Sequence, residues 1–496
     1  MRAFAIAVLM GALLAGGCAR LPQRKVGPLD IEEPVLTSQV LPNGLTLYHK
    51  YTPYTDIVTI DMWVASGSRD ETEATSGIAH YLEHMLFKGT ETRGVGELDR
   101  QIEGVGGVWN AGTSQDFTHF HVTLGAEYFD IGLDCLADAI QHSAIDADEL
   151  AREREVILQE VRRKEDTPST LLWTLVYRTA YDEHPYRLPV LGTPESLADI
   201  GRQTIYDHYK RYYVPRNMRL VIVGGVPLGT AAPAVRRAFA ALPDEPPPPS
   251  EGPAESPMEG VRRVSVEKDV RQSYLAVGFR GPSIRDGDDV YAMDVLLYIL
   301  GEGRASRMYR IIREDKQLVT GIGTSFPTQR DPGLFVVTAA QQPGREDEVE
   351  AAIVEELKRI RAGAPSAEEM DRAKTLIRSH YAFETETTDD QSGLIGYYAT
   401  VSGSPDFGMQ YLDNIAEVTA EDVTRVAREY LDPLRYAMVT IVPAPEEAEA
   451  PAVEPPEEPP TSAEEPPTVD PGGEGATETT GAGEESPDAG DSREDG

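Results

Sequence analysis

A chain of 496 residues with 40% apolar content holds enough material for two or more domains with ample cores. Its formal charge of −37 argues against a nucleic-acid partner, because an acidic surface repels phosphate. The two cysteines, Cys18 and Cys135, exclude a disulfide-built scaffold once an N-terminal leader is removed.

The N-terminal stretch MRAFAIAVLMGALLAGGCARLP has one positive residue, Arg2, then an apolar run to Leu14 and small residues. That is the pattern of a secretory signal, too short for a comfortable transmembrane helix. Leu14-Ala15-Gly16-Gly17-Cys18 resembles a bacterial lipobox, with Ala15 where Leu is commoner. The resemblance implies a signal peptide over 1–17, lipid attachment at Cys18 and a tether over 18–35. An exported, periplasm-facing membrane lipoprotein of the bacterial cell envelope is then expected.

Strands are predicted at Thr46 to Lys50 and Ile57 to Ala65, the second rich in β-branched residues. A polar loop, Ser66 to Gly77, follows, with Thr75 and Ser76 as candidate N-caps. The next stretch, GIAHYLEHMLFKGT, contains His80, Glu83 and His84 in the order H-x-x-E-H. On a helix, residues three and four apart share a face. Two neutral imidazoles one turn apart can grip a zinc ion, and a carboxylate beside them can take a proton from a zinc-bound water.

A short helix over Val95 to Gly104 ends at Gly106-Gly107. In Phe117 to Leu124 the set Thr118, Phe120, Val122, Leu124 reads as the core face of a strand, which leaves His119 and His121 on the other face in surface or structural roles. Cys135 reads as a small buried hydrophobe. Asp146 to Thr167 is an amphipathic helix with Glu153 and Glu160 on one side. His184 precedes Pro185 and reads as structural. A helix at Ile205 to Tyr213, a buried strand at Met218 to Val223 and a helix at Ala231 to Ala241 close this half.

GIAHYLEHMLFKGT, followed at this distance by EREVILQE, resembles the pitrilysin-like inverzincin metallopeptidases, which include insulin-degrading enzyme and the mitochondrial processing peptidase. The resemblance covers roughly Val40 to Val442. It implies that His80, His84 and Glu160 bind one zinc ion, that Glu83 is the general base, and that Glu153 is the family's second acidic residue, behind the ligands. It also implies that Asn110 and Ala111 lie on a substrate-cradling edge strand, where an extended peptide adds as one more strand.

Pro243 to Gly260 is a Pro-rich linker. The second half, Val261 to Val442, repeats the order of the first without an H-x-x-E-H. Its strands are expected at Tyr274 to Phe279 and Tyr436 to Val442, and its helices at Val290 to Leu300, Glu350 to Ala362 and Ser366 to Tyr381. Gly301 to Phe326 resembles the family segment that offers an Arg and a Tyr to the substrate carbonyl. The Arg is Arg313, and Thr320 stands where the Tyr is expected. The departure implies a dimer, in particular a heterodimer whose sister subunit supplies an Arg–Tyr pair. From Glu446 onward, 17 acidic residues face a single Arg493, a composition too polar to order itself.

The expected architecture is α+β, with two homologous domains, each an antiparallel sheet packed on helices. The expected boundaries are 36–242 for the zinc-bearing domain, 243–260 for the linker, 261–443 for the second domain and 444–496 for the acidic tail. The expected activity is zinc-dependent hydrolysis of unfolded peptides or oligopeptides. The alternative is a non-catalytic peptide-binding or assembly subunit of an envelope complex.

Overall fold

The computed structural model describes residues 35–249 and 252–445. The signal stretch, Cys18, nearly all of the tether and the acidic tail from residue 446 lie outside them. The first half builds a sheet from β1 (Leu36–Val40), β2 (Thr46–Tyr51), β3 (Ile57–Val64), β4 (Val108–Thr113), β5 (Thr118–Gly125) and β6 (Met218–Gly224). The second half builds another from β7 (Val261–Lys268), β8 (Ser273–Arg280), β9 (Val319–Ser325), β10 (Leu334–Gln341) and β11 (Tyr436–Pro443).

The strand orders are β1-β2-β6-β3-β5-β4 and β7-β11-β8-β10-β9. Without β1, the first order maps onto the second strand for strand, as a duplication requires. Each sheet is antiparallel apart from one parallel pair, β2 with β6 and β7 with β11. The parallel pair arises because the last strand of each half returns, after a long connection that includes helices, beside an early strand, β2 in the first half and β7 in the second.

The helices are α1 (Ile78–Leu86), α2 (Glu97–Glu103), α3 (Phe129–His142), α4 (Ala147–Glu165), α5 (Pro168–Ala180), α6 (Pro194–Asp199), α7 (Arg202–Tyr212) and, after β6, α8 (Leu228–Ala238) in the first half. In the second half they include α9 (Asp288–Leu300), α10 (Glu346–Ala362), α11 (Ala367–Phe383) and α12 (Thr388–Val401). Each sheet packs one face on helices of its own half. In the first half, Ile60, Phe120, Val122 and Leu124 meet Leu82, Leu133 and Leu136. In the second, Val277 and Val337 meet Val295, Leu296 and Ile353.

The opposite faces are covered by an exchange. From the first half, α5 lays Leu172 and Val176 on Ala276, Val336 and Val439 of the second sheet. From the second half, α12 lays Ile395 and Ala399 on Trp63, Val221 and Val223 of the first. Contact is close: a Cβ on Gly396 would come within 2.1 Å of the Trp63 ring nitrogen, and one on Gly278 within 2.7 Å of Val176. Double coverage explains why β3 is buried on both faces for nearly its whole length while carrying Thr59 and Asp61 among its apolar residues.

A polar seam also joins the halves. Arg69 meets Asp331 at 2.6 Å, and His184 Nε2 lies 3.1 Å from the same carboxylate. Asp116 accepts from the Tyr186 hydroxyl at 2.6 Å and from the Arg330 backbone N–H at 2.9 Å. His184 therefore has the structural role expected of it.

Candidate metal and catalytic site

α1 begins at Gly77, whose φ of 90° lies in the left-handed region. A Cβ there would also come within 2.7 Å of Gly192 Cα, so two glycines let the 189–193 turn press against the start of the helix. Thr75 and Ser76 are not its caps: Thr75 sits in a preceding 3₁₀ turn and the Ser76 hydroxyl donates to Pro189 O. The cap is the Glu71 carboxylate, which accepts from the N–H groups of Gly77 at 2.8 Å and Ala79 at 3.0 Å. Burial pushes the Glu71 carboxyl up to about 8, and the two N–H donors act against that rise.

α1 turns His80, Glu83 and His84 toward α4 and the sheet edge. α4 starts at Asp146, whose side chain accepts from the N–H groups of Asp148 and Glu149, and it presents Glu153 and Glu160 to α1. His80 Nε2 lies 3.6 Å and His84 Nε2 3.9 Å from Glu160 Oε2. One ligand atom from each of the three residues falls within 4.8 Å of the others.

These residues fit a zinc ion. Ligand bonds of about 2.0–2.2 Å in a tetrahedral arrangement separate neighbouring ligand atoms by about 3.3–3.6 Å, so a small contraction closes the set. Burial, with the neighbouring His84 and Lys164, lowers His80 to about 3, which keeps its lone pair free at neutral pH. His84 Nδ1 is 2.9 Å from Glu153 Oε1, which directs Nε2 at the open centre. Glu153 also pairs with Lys88 at 2.9 Å; against burial, which raises it, these two partners hold its carboxyl below the ordinary glutamate range.

Glu83 is buried beside this set, and Thr113 Oγ1 donates to its Oε2 at 2.5 Å. Burial raises the Glu83 carboxyl, which the Thr113 bond opposes. Thr113 ends β4, the strand that carries Asn110 and Ala111. β4 is the last strand of its sheet, and the Ala111 N–H is met by the side chain of Asn110 at 2.9 Å rather than by β5. Arg313 makes its contacts in the second half: it lies on a π-helical stretch, Tyr309–Asp315, and its guanidinium donates to the Tyr309 hydroxyl. The Thr320 hydroxyl, in β9, donates to Ala340 O and Gln272.

Comparison with known proteins gives the chain its family. Residues 47–194 match the family model described as insulinase, peptidase family M16, and residues 199–377 match the model described as peptidase M16 inactive domain. A protein of Rickettsia bellii named an uncharacterized zinc protease is 30% identical over 78% of this chain and 93% of its own length. The chain belongs to the M16 peptidase family.

Other M16 relatives include the zinc protease YmxG of Bacillus subtilis, 26% identical over 81% of this chain and 97% of that protein. The zinc protease PqqE of Helicobacter pylori is 29% identical over 78% and 88%. Among solved structures, a protease from Helicobacter pylori superposes with a TM-score of 0.79 at 27% identity, covering 83% of this chain and all of the other. A putative M16-like peptidase from Alicyclobacillus acidocaldarius, at 22% identity and a TM-score of 0.75, shares the fold. The M16 model named for an inactive domain falls mostly on the half without the H-x-x-E-H.

Proposed function

We propose that this chain is a zinc-dependent peptidase hydrolysing unfolded peptides or oligopeptides, with the metal held by His80, His84 and Glu160. The observation that carries the reading is the approach of these three side chains to one another beside a buried Glu83. The zinc-protease names of the relatives support both the metal and the chemistry.

A zinc ion held there supplies a Lewis acid that acidifies water and polarises a carbonyl. Glu83 takes the proton from the attacking water and hands it to the leaving amine. Thr113 fixes one Glu83 oxygen and leaves the other for the proton. The outer edge of β4 binds the peptide as an added strand, with the Ala111 N–H exchanging its Asn110 partner for a substrate carbonyl.

Glu83→Gln is expected to keep stoichiometric zinc and lose about 10²–10⁴ in kcat on a quenched fluorescent peptide. His80→Ala or Glu160→Ala is expected to lose the metal. Metal retained by both ligand variants, or chelator-insensitive hydrolysis by the unaltered chain, contradicts the reading.

The proposal extends to a dimer. Arg313 and its Tyr309 partner belong to the half without the metal set, so an Arg–Tyr pair from another chain, a sister subunit above all, would complete the site. Full activity from a chain shown by sedimentation to be monomeric argues against this. Lipidation of Cys18 would hold the protein on the envelope membrane; Cys18→Ser protein still found wholly in the membrane fraction argues against that.

A further inference from the structure

The face of the first sheet beneath α12 carries ligating side chains that the proposed chemistry leaves unused. The pairing of β3 with β5 sets Asp61 opposite His121, and Trp63 opposite His119. His119 Nδ1 lies 3.2 Å from Asp61 Oδ1, and its ring stacks on Trp63 with centroids 4.4 Å apart. One ligand atom from each of Asp61, His119 and His121 falls within 4.8 Å of the others. Asp61 is only 1% exposed. Asp389, in the first turn of α12, brings Oδ1 to 3.7 Å from His121 Nε2. The group opens on a cavity of about 410 Å³ that Asp390 and Tyr397 also line.

A His119–Asp61 ion pair accounts for two of these residues and leaves His121 unexplained. Its Nδ1 is buried with no hydrogen-bond partner, and an orphaned buried polar atom is destabilising. An ion shared with Asp61 gives the His121 ring a partner and neutralises a carboxylate set deep in a sheet. We propose that Asp61, His119 and His121 hold a second divalent transition-metal ion, His121 through Nδ1, with Asp389 facing Nε2 on the other side of that ring. Mixed imidazole and carboxylate donors suit zinc, manganese or cobalt. Through His121 the ion joins Asp389 of α12 to β3 and β5. It also fixes the His119 ring beside Gly112, the neighbour of the Thr113 that holds Glu83; His119 Nε2 is 3.2 Å from where a Gly112 Cβ would stand.

The test uses the whole chain, stripped with chelator, dialysed against micromolar free zinc and assayed for metal per chain by plasma emission. Two ions are expected in the unaltered protein. One is expected in Asp61→Asn and in His121→Gln, and one in His80→Ala, where only the second site remains. Zinc should raise the melting midpoint of the His80→Ala protein and leave that of a His80→Ala/His121→Gln protein unmoved. Saturation of the unaltered chain at one ion overturns the proposal. So does retention of two ions by both Asp61→Asn and His121→Gln, or a His80→Ala protein with neither bound zinc nor a zinc-dependent rise. Two ions retained by His80→Ala would instead count against the His80 site alone.

Discussion

Glu153 shows how one side chain sets the quality of a site it does not enter. It holds Nδ1 of His84 at 2.9 Å and is itself fixed by Lys88. Glu153→Gln keeps the shape but weakens the acceptor, so zinc affinity should fall about 10–100-fold, read by competition with a chromophoric chelator. The meeting of His80, His84 and Glu160 was legible because helical spacing alone puts His80, Glu83 and His84 on one face, and the family resemblance supplied Glu160. Two supports were not. Thr113 reaches Glu83 only through the register of β4 against β5, which no local pattern reveals. Glu71 caps α1 from six residues upstream of Gly77, across a 3₁₀ turn, where capping rules look only next door.

At the scale of elements, β4 would couple binding to chemistry in the proposed mechanism: its edge faces outward and its end holds Glu83. Proline is tolerated on an edge strand where the N–H faces away from the sheet. Ala111→Pro should therefore fold, retain its metal and raise KM for peptides by about tenfold or more through loss of one strand-pairing bond, about 1.5 kcal/mol. Unchanged KM would remove β4 from the substrate path. The alternation of β5 and the amphipathic pattern of α4 were readable in advance. α5 and α12 were not. α5 starts at Pro168, hard against the end of α4, and α12 carries two glycines and a β-branched end with poor helix propensity. Both are helical because a foreign sheet buries them.

Across the whole molecule, the Arg69–Asp331 pair pins the loop before α1 to the 327–333 segment of the other half. Burial raises a carboxyl, but the His184 bond and the Arg69 charge hold Asp331 well below the usual carboxylate range. A depressed value stabilises the fold above the unfolded pKa of about 3.9 and is lost as pH falls through the folded value. Asp331→Asn takes the nearest carboxylate from buried Arg69 and leaves it Asp70 at 3.8 Å and Asp116 at 3.9 Å, a loss of about 1–3 kcal/mol. Urea midpoints of the two proteins should differ by a constant amount from neutrality to about pH 4 and converge below it. A gap that widens on acidification would assign the seam to other groups.

The traded helices carry an implication for history. A lone half would display one apolar sheet surface to water, and its loose helix would have nothing to lie on. A single-copy forerunner could hold its shape only as a twin, each member lending the other a helix. Fusion of two such genes would turn a partnership between molecules into a fold within one.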